Sequence, residues 1–188
     1  MNPVKAIAFS LLLANNLIYS VVAFSETSPS IPPRSNDNNK KATSSPEQNK
    51  ATGTIVLRDK DNGICRLIVP EPGTAITYSF VNPPTPPGCS GWNDKTRSIQ
   101  LAELPSATTI FLGDSGDCGK YSKNTWISLK TIKKQTSTSI IETEYLTTFQ
   151  KNQIIEPGLQ MVDLQVNSSF RDELSCIRIQ TSAVPPSP

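Results

Sequence analysis

Histidine is missing from the chain altogether, and this absence excludes a wide range of chemistry. Without an imidazole there is no Ser-His-Asp or Cys-His triad, no histidine general base and no histidine-containing zinc site. Aromatic residues are scarce at 6%, and hydrophobic residues make up only 36% of the 188 positions. Part of the chain therefore lacks the apolar surface needed to pack. Neither sign of charge dominates: 18 Lys and Arg face 16 Asp and Glu, a net +2 that argues against a dedicated nucleic-acid binder. No CxxC spacing occurs, and no long stretch repeats with a 3.6-residue period. Abundant instead are proline, at 16 residues, and four cysteines, a combination common in exported β-rich proteins.

Both ends read differently from the middle. Lys5 supplies a positive n-region, and Ala6 to Ala23 form an apolar stretch interrupted by Ser10, Asn15, Asn16 and Ser20. Small-residue frames follow at Val21-x-Ala23 and Ala23-x-Ser25, so residues 1–25 are expected to be a cleaved export signal. No cysteine sits just after the apolar stretch, so a lipoprotein anchor has no attachment point. The expected location is secreted, extracellular or periplasmic, with no membrane insertion after cleavage. Residues 26–52 are rich in Ser, Pro, Asn and Lys, with Ile31 as almost the only large apolar side chain, and are expected to be a disordered linker. Residues 182–188 end in Pro185-Pro186-Ser187-Pro188 and read as a fraying tail. The folding unit is thus residues 53–181.

Within that unit, short β-branched and aromatic runs alternate with Gly, Pro, Asn and Asp. Strands are expected at 54–58, 64–69, 75–81, 98–104, 108–112, 125–133, 139–149, 159–166 and 174–180. The imperfect alternation of Leu159, Met161, Leu164 and Val166 predicts one bulge. Phe170 to Leu174 is expected to form a single helical turn. The reading is all-β, an antiparallel sandwich or barrel. The chain also echoes itself. Thr54-Ile55-Val56-Leu57-Arg58-Asp59 matches Thr109-Ile110-Phe111-Leu112-Gly113-Asp114 at four of six positions. Each copy runs into an acidic, glycine-containing loop ending in Cys65 or Cys118, and a lone tryptophan follows, Trp92 or Trp126, expected to open a further strand. A repeated supersecondary unit is how two-fold Greek-key sandwiches are built.

The strand Ile55-Val56-Leu57-x-Asp59, its Asn/Gly loop and then Trp92-Asn93-Asp94-Lys95-Thr96-Arg97-Ser98-Ile99 resemble a Greek key of the βγ-crystallin family, in its microbial secreted branch. The resemblance covers about residues 53–133. It implies an antiparallel Greek-key β-sandwich, to which the remaining residues add C-terminal strands. It also implies a calcium site, since the family pattern Asn/Asp-Asn/Asp-x-x-Ser/Thr-Ser falls on Asn93, Asp94 and Ser98. Arg97 occupies the place of the liganding hydroxyl, which makes the calcium site degenerate. Without that resemblance, Asn93-Asp94 reads as an Asx turn before a strand. The loop from Asp59 is not an EF-hand, because Gly63 comes one place early and Pro70 stands where a bidentate glutamate belongs.

Cys65, Cys89, Cys118 and Cys176 are read as two structural disulfides. They allow three pairings among which the sequence does not choose; Cys65–Cys89 with Cys118–Cys176 is the working expectation. The run Pro83-Pro84-Thr85-Pro86-Pro87, locked by Cys89, is a candidate binding loop as well as a plain crossover. Glu142, Glu144, Glu156, Asp163, Asp172 and Glu173 are the carboxylates from which a hydrolase would draw a pair. No spacing marks one, and Glu142 with Glu144 is expected on one face of a strand. Lys130, Lys133 and Lys134 form a small basic run, and Asn167-Ser168-Ser169 is a formal glycosylation sequon. The function expected is a secreted, non-enzymatic binding module on a flexible tether, possessing at most a degenerate calcium site and binding an extracellular protein or glycan. A protease inhibitor using the proline loop is the alternative, and a carboxylate-based hydrolase the third reading.

Overall fold

The computed structural model describes residues 53–183, and the expected export signal, linker and last five residues lie outside them. Three kinds of local signal build the fold: apolar alternation, glycine and aspartate turns, and left-handed residues that end strands. The first produces β1 (Thr54–Arg58) and β2 (Ile64–Ile68). In β2, Cys65 and Leu67 turn inward while Ile64, Arg66 and Ile68 stay outside, the two-residue period of a half-buried strand. The turn between them is clamped by Asp59, whose Oδ1 accepts N–H bonds from Asp61 at 2.9 Å and Gly63 at 2.7 Å.

After β3 (Ala75–Ser79) the chain continues to β4 (Ser98–Ala102), where Glu103 at φ 57° breaks the strand before the two-residue β5 (Leu104–Pro105). The hairpin β6 (Thr109–Gly113) and β7 (Trp126–Thr131) follows. Then come β8 (Gln135–Thr136), β9 (Ile141–Glu142), a single-turn helix α1 (Thr143–Leu146), β10 (Ile154–Glu156), β11 (Leu159–Gln165) and β12 (Cys176–Gln180).

These strands form a four-stranded sheet in the order β2-β1-β4-β9, a six-stranded sheet in the order β10-β11-β7-β6-β12-β3, and the small pair β5-β8. Every pairing is antiparallel. Ile55, Leu57, Leu67, Ile99 and Leu101 of the first sheet share one buried cluster with Ile110, Leu112, Ile127, Leu129, Met161, Ile177 and Ile179 of the second. The described residues are therefore all-β, two antiparallel sheets on one core, an arrangement consistent with a sandwich.

The expected bulge in β11 is present, between Met161 and Asp163. Three expectations need correction. Residues 139–149 do not form one strand: they contain β9 and then α1, so Glu142 and Glu144 do not share a strand face. The cause is non-local, because the buried Thr143 hydroxyl is drawn to the carbonyls of Arg97 at 3.1 Å and Phe170 at 3.0 Å. Trp92 opens no strand; it packs into the core from the loop before β4, whereas Trp126 begins β7. Phe170 to Leu174 makes turns and no helix. The echo survives in part. Each copy is the first strand of a hairpin followed by a clamping aspartate, and Asp114 accepts bonds from the Asn124 amide at 2.6 Å and the Thr125 N–H at 2.7 Å.

Candidate functional site

β9 pairs with β4 on one side, and no described strand covers its other side, while β10 is likewise the last strand of the second sheet. Between these two edges lies a groove of about 500 Å³ lined by Ser139, Ile140, Ile141, Glu142, Tyr145, Ile155 and Glu156. Ile140 is 53% exposed and Tyr145 56%. Large apolar side chains clustered at an open sheet edge commonly mark an interaction surface.

Part of the backbone is open there as well. Thr143 donates to the Arg97 carbonyl at 3.0 Å, so antiparallel alternation turns the N–H and C=O of Glu142 away from β4; the C=O, at the N-cap of α1, takes the first bond of that helix, and the N–H is left open. The N–H and C=O of Ile140 make no backbone hydrogen bond among the described residues. Glu156 latches the two sheets at this point: its Oε2 accepts the Ser139 N–H at 3.0 Å, and its Oε1 accepts the Ser139 hydroxyl. The Glu142 carboxylate is exposed and reaches Arg171 only at 3.8 Å. Glu142 and Glu156, which no spacing in the sequence marks as a pair, thus line one groove. The sequence missed Ile140, Tyr145 and Ile155; the overlooked signal was the bare Ile140-Ile141 pair ahead of three polar residues, too short for a core strand.

Of the expected calcium ligands Asn93, Asp94 and Ser98, only Asp94 lines a cleft, one of about 220 Å³ that it shares with Asp59, Lys60, Asp61, Lys95 and Asp172. Asp94, at φ 55°, accepts the Asn93 amide at 2.5 Å on Oδ2 and the Ser175 hydroxyl at 3.1 Å on Oδ1. The Arg97 guanidinium grips Asp172 through both carboxylate oxygens, with Nε donating at 2.9 Å. That hydrogen bond holds the Asp172 carboxyl below the usual range, whereas burial and the neighbouring Asp94, Asp114 and Asp172 raise Glu173. Ser98 is buried inside β4, opposite Arg58 and Glu142. With Asp94 already engaged, a paired guanidinium in the hydroxyl position and two lysines on the rim, this donor set does not fit a calcium ion. Among the described residues no group of three or more His, Cys, Asp or Glu could hold a metal.

The two disulfides are Cys65–Cys89 and Cys118–Cys176, as expected. The first ties β2 to the end of the proline run. In that run Pro83, Pro84 and Pro87 are exposed, but Thr85 is only partly so and Pro86 is buried, so the loop lies down on the body. The second disulfide joins Phe111 and Trp126 in a separate buried cluster. The loop from Asp114 to Thr125 brings Cys118 to this cluster, and Lys120 sits 4.1 Å from the Trp126 ring centroid. Lys130, Lys133 and Lys134 are all exposed. The sequon residues are structural ties: the Asn167 amide donates to the carbonyls of Ser122 and Asn124, each at 2.9 Å, and Ser169 to Glu144 at 2.9 Å.

No family model matches this chain, and no curated protein or solved structure matches it significantly. Two disulfides fit an oxidising compartment, and no described helix is long and apolar enough to cross a membrane.

Proposed function

We propose that this chain is an exported, non-enzymatic recognition module that takes up an extended segment of an extracellular protein along the β9 edge. The observation that carries this reading is the groove between the two sheet edges, where exposed Ile140, Tyr145 and partly buried Ile155 adjoin the outward-turned backbone of Glu142. A strand laid there gains main-chain hydrogen bonds, and its alternate side chains meet either apolar or carboxylate surroundings. Glu142 and Glu156 favour a segment with basic residues among aliphatic ones. A Greek-key sandwich related to the βγ-crystallins remains part of the proposal. It is supported by the insertion of β4 beside β1 and of β12 between β6 and β3. Calcium has no place in it, because the donor set around Asp94 does not fit the ion.

The inhibitor reading draws less support, since a protease needs a protruding substrate-like bond and Thr85 precedes a buried proline. Fluorescence polarisation with labelled seven-residue peptides, aliphatic residues alternating with basic, acidic or neutral ones, tests the proposal. The basic set is expected to bind most tightly, with binding lost in Ile140→Ser and weakened in Tyr145→Ala. Equal failure of all three sets, or binding of soluble oligosaccharides that ignores both substitutions, would sink it.

A further inference from the structure

The four-stranded sheet has a second open edge, β2, and its exposed residues are the complement of those at β9. Val69 donates to the Gly53 carbonyl at 3.1 Å and Asp59 to Gly63 at 3.2 Å, so the odd-numbered residues of β2 bond to β1. Alternation turns the backbone groups of Ile64, Arg66 and Ile68 outward, where among the described residues the Ile68 carbonyl alone has a partner, the Tyr78 hydroxyl at 3.1 Å. Their side chains stand on the outer face of the sheet, Ile64 at 42% and Ile68 at 72% exposure, with the exposed Arg66 between them. Among the described residues Arg66 makes no ion pair. The β9 edge presents Ile140 and Glu142 on that same outer face, with Ile141 buried beneath.

Strand direction completes the match. Successive neighbours in β2-β1-β4-β9 are antiparallel, so β2 and β9 run in opposite directions. A second copy set beside the first, in the same orientation, brings its β2 antiparallel to β9. The outward-bonding residues then fall opposite one another. Of the registers that alternation allows, the one that pairs the charges sets Glu142 opposite the partner subunit's Arg66 and Ile140 opposite the partner subunit's Ile68. The alternative two-fold pairing of β2 with itself sets Arg66 against the partner's Arg66, a directly opposed like-charge pair that opposes association.

We infer that the occupant of the β9 edge is the β2 edge of another copy of this chain, joined head to tail so that the four-stranded sheet continues from one molecule to the next. The inference rests on the proposed reading of β9 as a strand-binding edge and names its partner. A heterologous contact of this kind leaves a free β2 at one end and a free β9 at the other, so the expected product is an open chain of molecules. The contact is short, and the association is weak and concentration-dependent.

Sedimentation of the oxidised full-length chain, from low to high micromolar concentration, tests this. Weight-average mass is expected to rise with concentration. Arg66→Glu and Glu142→Arg are each expected to weaken association about tenfold, and the double variant to restore it. Both positions are exposed, and unchanged thermal melts verify the fold of each variant. A wild-type chain that stays monomeric throughout, or an assembly indifferent to both single reversals, overturns the inference. A labelled peptide of residues 62–70 with Cys65→Ser separates the two levels. If it binds while the full chain stays monomeric, self-association is overturned and the strand-binding edge stands. If the chain assembles, the peptide is expected to compete with it.

Discussion

The Thr125 hydroxyl accepts N–H bonds from Asn167 and Ser168, each at 3.0 Å, and lies 3.2 Å from the Ser168 carbonyl. One side chain thus holds the start of the segment linking β11 to β12. Thr125→Val keeps the shape but strands two backbone donors, and is expected to lower stability by about 2–3 kcal/mol. Urea denaturation reads this directly, and Thr125→Ser, which keeps the oxygen, is expected to recover most of the loss. Asp117 shows a second residue-scale effect. Hydrogen bonds from Ser115, Tyr121 and the Gly119 N–H lower its carboxyl to about 2. A depressed folded-state value contributes stability that is present above the unfolded carboxylate value, near ~3.9, and is lost as pH falls toward the folded one. Asp172 is shifted the same way by Arg97. The midpoint of thermal unfolding is therefore expected to drop between pH 4 and pH 2, by less in Tyr121→Phe, which lacks one of the bonds to Asp117. An equal drop in both proteins would remove Asp117 as a contributor.

At the scale of elements, the β1–β2 turn depends on a glycine for space and not for an unusual dihedral. A Cβ at Gly63 would come within 2.5 Å of the Asp59 Oδ2 atom. Gly63→Ala is expected to expel that carboxylate and cost about 1–2 kcal/mol, measurable by chemical denaturation, with weaker amide protection at Asp61 and position 63. The hairpins around Asp59 and Asp114 were legible in the sequence because their signals are local: an apolar strand, an aspartate, then a loop of residues that favour turns. The bulge in β11 was legible for the same reason. The β9–α1 segment was not. Its conformation is imposed by the carbonyls of Arg97 and Phe170, which reach Thr143 from 46 and 27 residues away. The groove was hidden more deeply, since it joins Ile140 and Tyr145 to Ile155 across two sheets. No periodicity within either segment records that neighbour. Asn93 and Asp94 show the opposite case, residues visible in the sequence whose side chains the fold spends on holding a loop.

For the whole molecule, the two disulfides do different work. Cys65–Cys89 closes 24 residues, whereas Cys118–Cys176 closes 58 and secures the loop after β6 to β12. Loop-closure entropy alone assigns about 3.5 kcal/mol to the first and about 4 kcal/mol to the second, a difference too small to tell them apart. Their surroundings do. Cys118 and Cys176 pack with Phe111 and Trp126 in the smaller cluster, where Trp126 is only 7% exposed and Lys120 lies over its ring. Once the crosslink is gone, little apolar contact remains to keep the Asp114–Thr125 loop down, and Trp126 gains water before the main core opens. Trp92 belongs to the main core, so it reports on global unfolding instead. The Cys118→Ser/Cys176→Ser variant is thus expected to show red-shifted, more quenchable Trp126 fluorescence while still folded, isolated with Trp92→Phe as background. The Cys65→Ser/Cys89→Ser variant is expected to melt earlier with native Trp126 emission up to its transition. Matching emission in the two folded variants would mean that the loop is held by its own hydrogen bonds, from Asn124 to Asp114 and from Gln165 to Tyr121, and that the disulfide adds only chain constraint.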